Sequence, residues 1–204
     1  MSAATIEFGT LRIRYDDRVL RPRPWTAAQS DWGAELLRSA PEGPVLELCC
    51  GAGQIGLLAI AQEPRRLVCV DLNPAACELT RHNAAAAGVA ELVEVREGAI
   101  GDVLRPQERF ALVIADPPWV RRAETGTFPE DPLLAIDGGD DGLEVAWHCV
   151  AAASEHLVDG GSALLQLGTA TQARQVGDGL ASYDLRLAEV REHDGGVVAR
   201  LRRA

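Results

Sequence analysis

Val45-Leu46-Glu47-Leu48-Cys49-Cys50-Gly51-Ala52-Gly53-Gln54-Ile55-Gly56 is an apolar run that breaks into a glycine-rich turn and then into helical spacing. A short strand followed at once by such a turn and a helix is a β-loop-α unit, whose glycines let backbone approach a ligand at the strand's carboxyl end. Outward from it, the same alternation continues. Strands are predicted at residues 45–48, 67–70, 92–94, 112–115 and 163–167, with helices at 55–62, 74–87, 143–157 and 171–182. Strands that alternate with helices build a parallel sheet covered on both faces, so the fold class is α/β and doubly wound. The end differs: residues 185–192 and 197–201 are strand-like and joined by His193-Asp194-Gly195-Gly196, a hairpin signal that closes the sheet antiparallel. On the other side lies an extended, turn-rich arm ending in Arg21-Pro22-Arg23-Pro24-Trp25-Thr26. A helix over 27–39 follows, spaced by Trp32, Leu36 and Leu37, and Pro41, Gly43 and Pro44 break the chain after it. We expect residues 1–40 to pack as an arm and helix on a catalytic domain spanning 41–204.

At 204 residues and 47% hydrophobic content, the chain can bury one substantial core. No run approaches the roughly 18 apolar residues of a membrane helix, and the opening MSAATIEFGT lacks the basic-then-apolar pattern of a secretory leader, so a cytoplasmic location is expected. Five cysteines without C-x-x-C spacing read as buried, reduced thiols, and no metal site is expected. The chain has no lysine; all 20 basic residues are arginine. That excludes a Walker A phosphate loop and a pyridoxal Schiff base, both of which require lysine. A net charge of −10 disfavours a nucleic-acid partner, and the run Arg12, Arg14, Arg18, Arg21, Arg23, diluted by Asp16 and Asp17, reads as a solvated segment. His82, His148, His156 and His193 have no partner spacing and read as surface or hydrogen-bonded residues.

Gly51, Gly53 and Gly56 satisfy the dinucleotide pattern G-x-G-x-x-G literally, and Asp71 stands at the end of the second strand, where it could hold ribose hydroxyls. The same residues also suit a plain tight turn and a helix N-terminal carboxylate in Asp71-Leu72-Asn73-Pro74. Glu47 shifts the balance. A carboxylate beside the turn would repel a pyrophosphate, whereas it would attract the cationic amino-acid part of S-adenosylmethionine (SAM). Cys49 reads as a small packing residue near that cofactor, because no general base is close to it in sequence.

At the end of the fourth strand stands Asp116-Pro117-Pro118-Trp119. The prolines lack N–H groups and hold the backbone extended, so the carbonyls of the turn stay free to accept hydrogen bonds. Asp116 adds a side-chain acceptor and Trp119 an aromatic face. Acceptors plus a stacking surface suit a planar NH₂ group, whose delocalised lone pair needs orienting toward a methyl donor. Residues 120–141 form a long irregular stretch of the kind used for lids and substrate elements, and Asp141 or Gly142 is placed to cap the next helix.

These motifs, together with Val19-Leu20-Arg21-Pro22-Arg23-Pro24, Asp137-Gly138-Gly139 with Gly142-Leu143, and Asp194-Gly195-Gly196, resemble the release-factor glutamine methyltransferases of the HemK/PrmC type. The resemblance implies a mostly parallel seven-stranded SAM methyltransferase fold, methyl transfer to an amide nitrogen, and S-adenosylhomocysteine as product. It also implies a cofactor set of Thr26, Glu47, Cys49, Gly51, Gly53, Asp71, Leu72, Ala99, Ile100 and Asp116, and an acceptor set of Asp116, Pro117 and Trp119. The chain departs from the family where Asn-Pro-Pro-Tyr is Asp116-Pro117-Pro118-Trp119, where Gly-Asp is Gly98-Ala99 with Asp102 nearby, and where Thr-Glu is Thr26-Ala27. A separate N-terminal helical domain of the bacterial family is not expected in the chain. A protein glutamine amide, a small-molecule or peptide amine, and a nucleobase amine remain open as acceptors, in that order. Outside this class stand a small NAD-dependent oxidoreductase and a SAM-binding partner subunit without activity.

Overall fold

The computed structural model describes residues 3–204. Ahead of the sheet, β1 (Ala4–Phe8) and β2 (Leu11–Tyr15) pair antiparallel through a turn at Gly9 with φ +57°. This hairpin stands where sequence alone predicts only an extended arm. Its buried anchors, Phe8 and Ile13, join the core of the main domain. The edge of β2 is closed by one side chain: Asn83 accepts from Arg14 N at 2.9 Å and donates to Arg14 O at 2.9 Å. A 3-10 turn at Pro24–Thr26 leads into α1 (Ala27–Leu37).

From there the chain runs β3 (Val45–Leu48), α2 (Gln54–Gln62), β4 (Leu67–Asp71), α3 (Pro74–Ala86), β5 (Val93–Glu97) and a short α4 (Ile100–Val103). It continues with β6 (Phe110–Ala115), a short α5 (Leu133–Ile136), α6 (Glu144–His156), β7 (Leu157–Leu167), α7 (Ala170–Gly179), β8 (Leu185–His193) and β9 (Gly196–Arg203). The seven-stranded sheet has the order β5-β4-β3-β6-β7-β9-β8, parallel through β7 and antiparallel over the last two pairings. Every residue of β3 and β6 is buried, as strands covered on both faces must be. One core, with Trp32, Leu57 and Leu79, lies under α1, α2 and α3. The other, with Ala146, Val150 and Val176, lies under α6 and α7.

Some boundaries differ from those predicted. β5 starts one residue later than expected and extends to Glu97, because its pairing with Leu67–Asp71 sets its length while its own residues are only half-buried. β7 starts at Leu157, through the Gly160 turn at φ +80°. The last helix ends at Gly179 and tightens into a 3-10 turn at Leu180–Tyr183. His156 is buried, with Nδ1 3.0 Å from Glu108 O, whereas the Nε2 of His193 is buried without a partner among the described residues. Among the described residues no helix is long and apolar enough to cross a membrane.

Candidate active site

Strand order reverses direction between β3 and β6, and in open α/β sheets such a switch point splays the following loops apart into a crevice. A cavity of about 460 Å³ opens there. Its floor is the loop after β3. Cys49 (φ +57°), Gly51 (φ +55°) and Gly53 (φ +78°) all take left-handed backbone, which turns the chain sharply from strand into α2. A Cβ built on Gly51 would meet nothing within 4 Å, so space above this residue is open, whereas one on Gly53 would strike Thr80. The Thr80 hydroxyl donates to Gly51 O at 3.0 Å and fixes the turn from below.

Asp71 ends β4 beside this loop. One of its oxygens accepts from Gly51 N at 2.8 Å and the other from Asn73 N at 2.8 Å. Burial raises its carboxyl above the usual range, and backbone donors at Asn73, Gly51 and Leu72 oppose that shift. Asn73 caps α3 by accepting from Ala75 N at 2.9 Å, with Pro74 in the first turn. Its amide donates to Arg18 O at 2.8 Å, tying the arm to this side of the cavity. At the far side, Arg23 donates two hydrogen bonds to Asp131 at 2.7 and 2.9 Å, so the arm crosses the cavity mouth and meets the loop before α5. Thr26, buried, donates to Arg23 O at 2.8 Å and lies on the cavity wall.

Of the cofactor positions expected from sequence, Thr26, Cys49, Gly51, Asp71, Leu72, Ala99, Ile100 and Asp116 line this one cavity. Glu47 and Gly53 do not. Glu47 lies beneath the loop, 2% exposed, with one oxygen accepting from Gly56 N at 2.9 Å and the other from the Cys69 thiol at 3.4 Å. Burial raises its carboxyl to about 7, with Asp116 and Asp71 adding to the shift and the Gly56 and Cys69 donors opposing it. The native chain therefore holds this proton to higher pH than the unfolded chain, and stability must fall as pH rises from the ordinary glutamate range to about 7. Glu47→Gln keeps the acceptor for Gly56 and removes the titration. Chemical denaturation at several pH values should show a shallower decline for the variant, by roughly 3 kcal/mol at most between about pH 5 and pH 8. Parallel curves for the two proteins would refute this account of Glu47.

The acceptor tetrapeptide is split by the fold. Asp116 and Pro118 line the cavity; Pro117 is buried and Trp119 faces elsewhere. The Trp119 ring lies against Gly168, where a Cβ would collide with it, and its carbonyl accepts from Gln172 Nε2 at 3.0 Å. Asp116 is anchored by its N–H to Leu48 O at 3.5 Å, and its carboxyl has no hydrogen-bond partner among the described residues. Burial alone raises that carboxyl to about 7. Below it, Gln29 of α1 donates to Ala115 O and Leu164 O, both at 3.1 Å, and locks β6 against β7 at this level.

Sequence reading missed several wall residues. Gln54 begins α2, Val145 and His148 come from α6, and Leu134 and Ala135 from α5. The length of the 120–141 stretch signals the α5 contribution, whereas the approach of α6 depends on its packing against α4 and carries no local mark. Leu72 and Leu134, each 58% exposed, leave the mouth apolar.

The model of the methyltransferase small domain matches residues 25–183, which carries both the loop after β3 and the Asp116 turn. The chain belongs to the methyltransferase small domain family. It is 37% identical over 167 residues to a release factor glutamine methyltransferase of Deinococcus radiodurans, covering 79% of this chain and 59% of that one. It is 30% identical over 164 residues to a ribosomal protein uL3 glutamine methyltransferase of Bordetella pertussis, covering 77% and 55%. The chain thus spans less than two thirds of the length of these relatives. In fold, it is similar to the ribosomal protein L11 methylase of Lactobacillus delbrueckii subsp. bulgaricus, with a TM-score of 0.67 at 14% identity over 91% of this chain and 81% of the other. This methyltransferase small domain therefore has the doubly wound, seven-stranded architecture that its alternation predicts.

Proposed function

We propose that the chain is a SAM-dependent N-methyltransferase whose acceptor is a glutamine-type side-chain amide of a protein. The observation that carries this reading is the contrast among three acids at neighbouring strand ends. Glu47 and Asp71 give their oxygens to backbone and thiol donors that shape the loop, while Asp116 keeps its carboxyl free in the same cavity. The relatives' names supply the amide: they methylate glutamine in a release factor and in ribosomal protein uL3. A protein acceptor of the translation machinery supports a cytoplasmic location for this work.

The cavity residues fit the cofactor. A carboxylate offers about four acceptor positions, so Asp71 can still receive a pair of ribose hydroxyls after satisfying Gly51 and Asn73. Open space above Gly51 admits the ligand to the backbone, Leu72 and Ile100 offer apolar surface to a flat base, and Ala99 leaves room beside it. Asp102, also on the wall, stands in for the family's acid after the third strand. SAM, when bound, supplies an electrophilic methyl group on a sulfonium. Asp116 orients the acceptor nitrogen, Pro118 walls the site against water, and Glu47 keeps α2 tight under the loop through Gly56. Pro117, expected at the acceptor, does not line the cavity, so the acceptor NH₂ is assigned to Asp116 and Trp119 to the frame of the turn.

Titration calorimetry with SAM, S-adenosylhomocysteine and NAD tests the cofactor half. We expect saturable binding of the first two and none of NAD; binding of NAD alone would overturn the reading in favour of an oxidoreductase. Mass spectrometry of a glutamine-bearing protein acceptor after incubation with SAM should show one added methyl per modified residue.

A further inference from the structure

Asp71 ends β4 and Asp116 directly follows β6, yet the chain treats their charges in opposite ways. Asp71 is followed by Leu72 and Asn73, whose N–H groups turn back to its carboxylate, and Gly51 N–H adds a third donor. Asp116 is followed by Pro117 and Pro118, which have no N–H to give. No arginine reaches it either. Arg23, on the same cavity wall, is spent on Asp131. The titratable and charged groups around it are Glu47 from β3, Cys49 from the loop after β3, Asp71 from β4, Asp102 from α4, His148 from α6, and Arg21 and Arg23 from the arm. Acids outnumber cations, and the charges of Asp116 and Asp71 both push the Glu47 carboxyl up. Half-buried on the cavity wall, with neither a donor nor a counter-charge among the described residues, this carboxyl is driven to keep its proton.

We propose that Asp116 reads an amide acceptor in its neutral form, its O–H donating to the amide carbonyl oxygen while its other oxygen accepts from the amide NH₂. This rests on the methyltransferase reading of the site and deepens it. A protonated carboxyl presents one donor and one acceptor side by side, as a side-chain amide does, so an acid here preserves amide recognition only while it holds its proton. The same use of a carboxyl kept neutral by an apolar site is known from other enzymes. An ionised Asp116 would offer acceptors alone and repel the amide oxygen, favouring instead a group with N–H donors and no carbonyl. The sign of the pH dependence therefore reports the acceptor class: with the carboxyl at about 7, amide binding is strong below that pH and is lost above it.

The test measures binding rather than turnover, so that a positive sulfonium does not bias Asp116 toward its anion. N-acetylglutamine methylamide is titrated by NMR into the protein saturated with S-adenosylhomocysteine, at about pH 6 and about pH 8. In the unmodified protein its affinity should fall about tenfold between the two, following the neutral fraction of one carboxyl. Asp116→Asn, which offers a donor and an acceptor at every pH, should bind the probe within about twofold of the same affinity at both. Affinity that is level or rises with pH, or no saturable binding at either pH, would overturn the proposal, as would an Asn variant with the same tenfold fall. S-adenosylhomocysteine binding measured in the same samples separates the two levels: its absence would remove the site reading itself, and the proposal with it.

Discussion

Replacing Asp116 by alanine is expected to leave SAM affinity nearly unchanged and to lower methyl transfer by about two to three orders of magnitude in kcat/KM. The separation follows from where Asp116 sits. Asp71, Gly51 and Leu72 lie on the β3–β4 side of the crevice, and Asp116 follows β6 across the switch point, where no described residue can replace it toward an acceptor. The fold should tolerate the change, because the lost carboxyl has no side-chain partner among the described residues and its removal relieves a half-buried group that resists ionisation. Calorimetry and steady-state rates on one preparation decide the matter. A variant that bound SAM and methylated at the unmodified rate would end the assignment of Asp116 to the acceptor; one that lost SAM binding would move it to the cofactor.

Gly56→Ala should lower stability more than the same change at Gly51. A Cβ there would overlap the Glu47 carboxylate and approach Leu67 Cδ2 to 3.1 Å, with backbone of α2 on one side and β3 and β4 on the other. Neither neighbour can swing away, since Glu47 is held by Gly56 N–H and Cys69 and Leu67 is fully buried. Overpacking of this kind costs about 1–3 kcal/mol. For a chain of this size that lowers the thermal midpoint by roughly 2–9 °C. Gly51→Ala supplies the control: its added methyl meets nothing, leaving only the left-handed backbone at roughly 1–2 kcal/mol. SAM affinity should also drop in Gly56→Ala, because a displaced Glu47 frees the first turn of α2 and the loop above it. An unchanged midpoint would mean that β3 and α2 are less tightly apposed than the contacts imply.

The distribution of acids also bears on how a family scaffold accepts an aspartate in place of an asparagine. At Asp71 the following N–H groups would stabilise a charge, and at Asp116 two prolines withhold them. The tetrapeptide therefore withholds the donors that would hold its first residue ionised, and burial raises the carboxyl. The missing donors are readable in the sequence, whereas the burial that raises the carboxyl comes from the fold.

The sheet and the order of its parts were equally readable. β4 up to Asp71 and β6 are continuous apolar runs, and β3 is apolar but for Glu47, because both faces are covered. Parallel strands in register place their carboxyl ends together, so Gly51, Asp71 and Asp116 had to meet once the alternation was recognised. The direction of individual side chains was a different matter. Glu47 reads as a ligand contact, but Gly56 N–H and the Cys69 thiol draw it beneath the loop. Trp119 reads as a stacking surface, but the bare backbone of Gly168 receives its ring and Gln172 holds its carbonyl. The β1–β2 hairpin escaped because its stability comes from Asn83, about 70 residues away, and from burial of Phe8 and Ile13 in a core built elsewhere. The β-α alternation, the closing hairpin and the missing donors after Asp116 follow from periodicity and neighbouring residues, which the sequence carries by itself. Which way Glu47 and Trp119 face, and which helix brings His148 to the wall, depend on contacts between distant segments, and those exist only once the chain has folded.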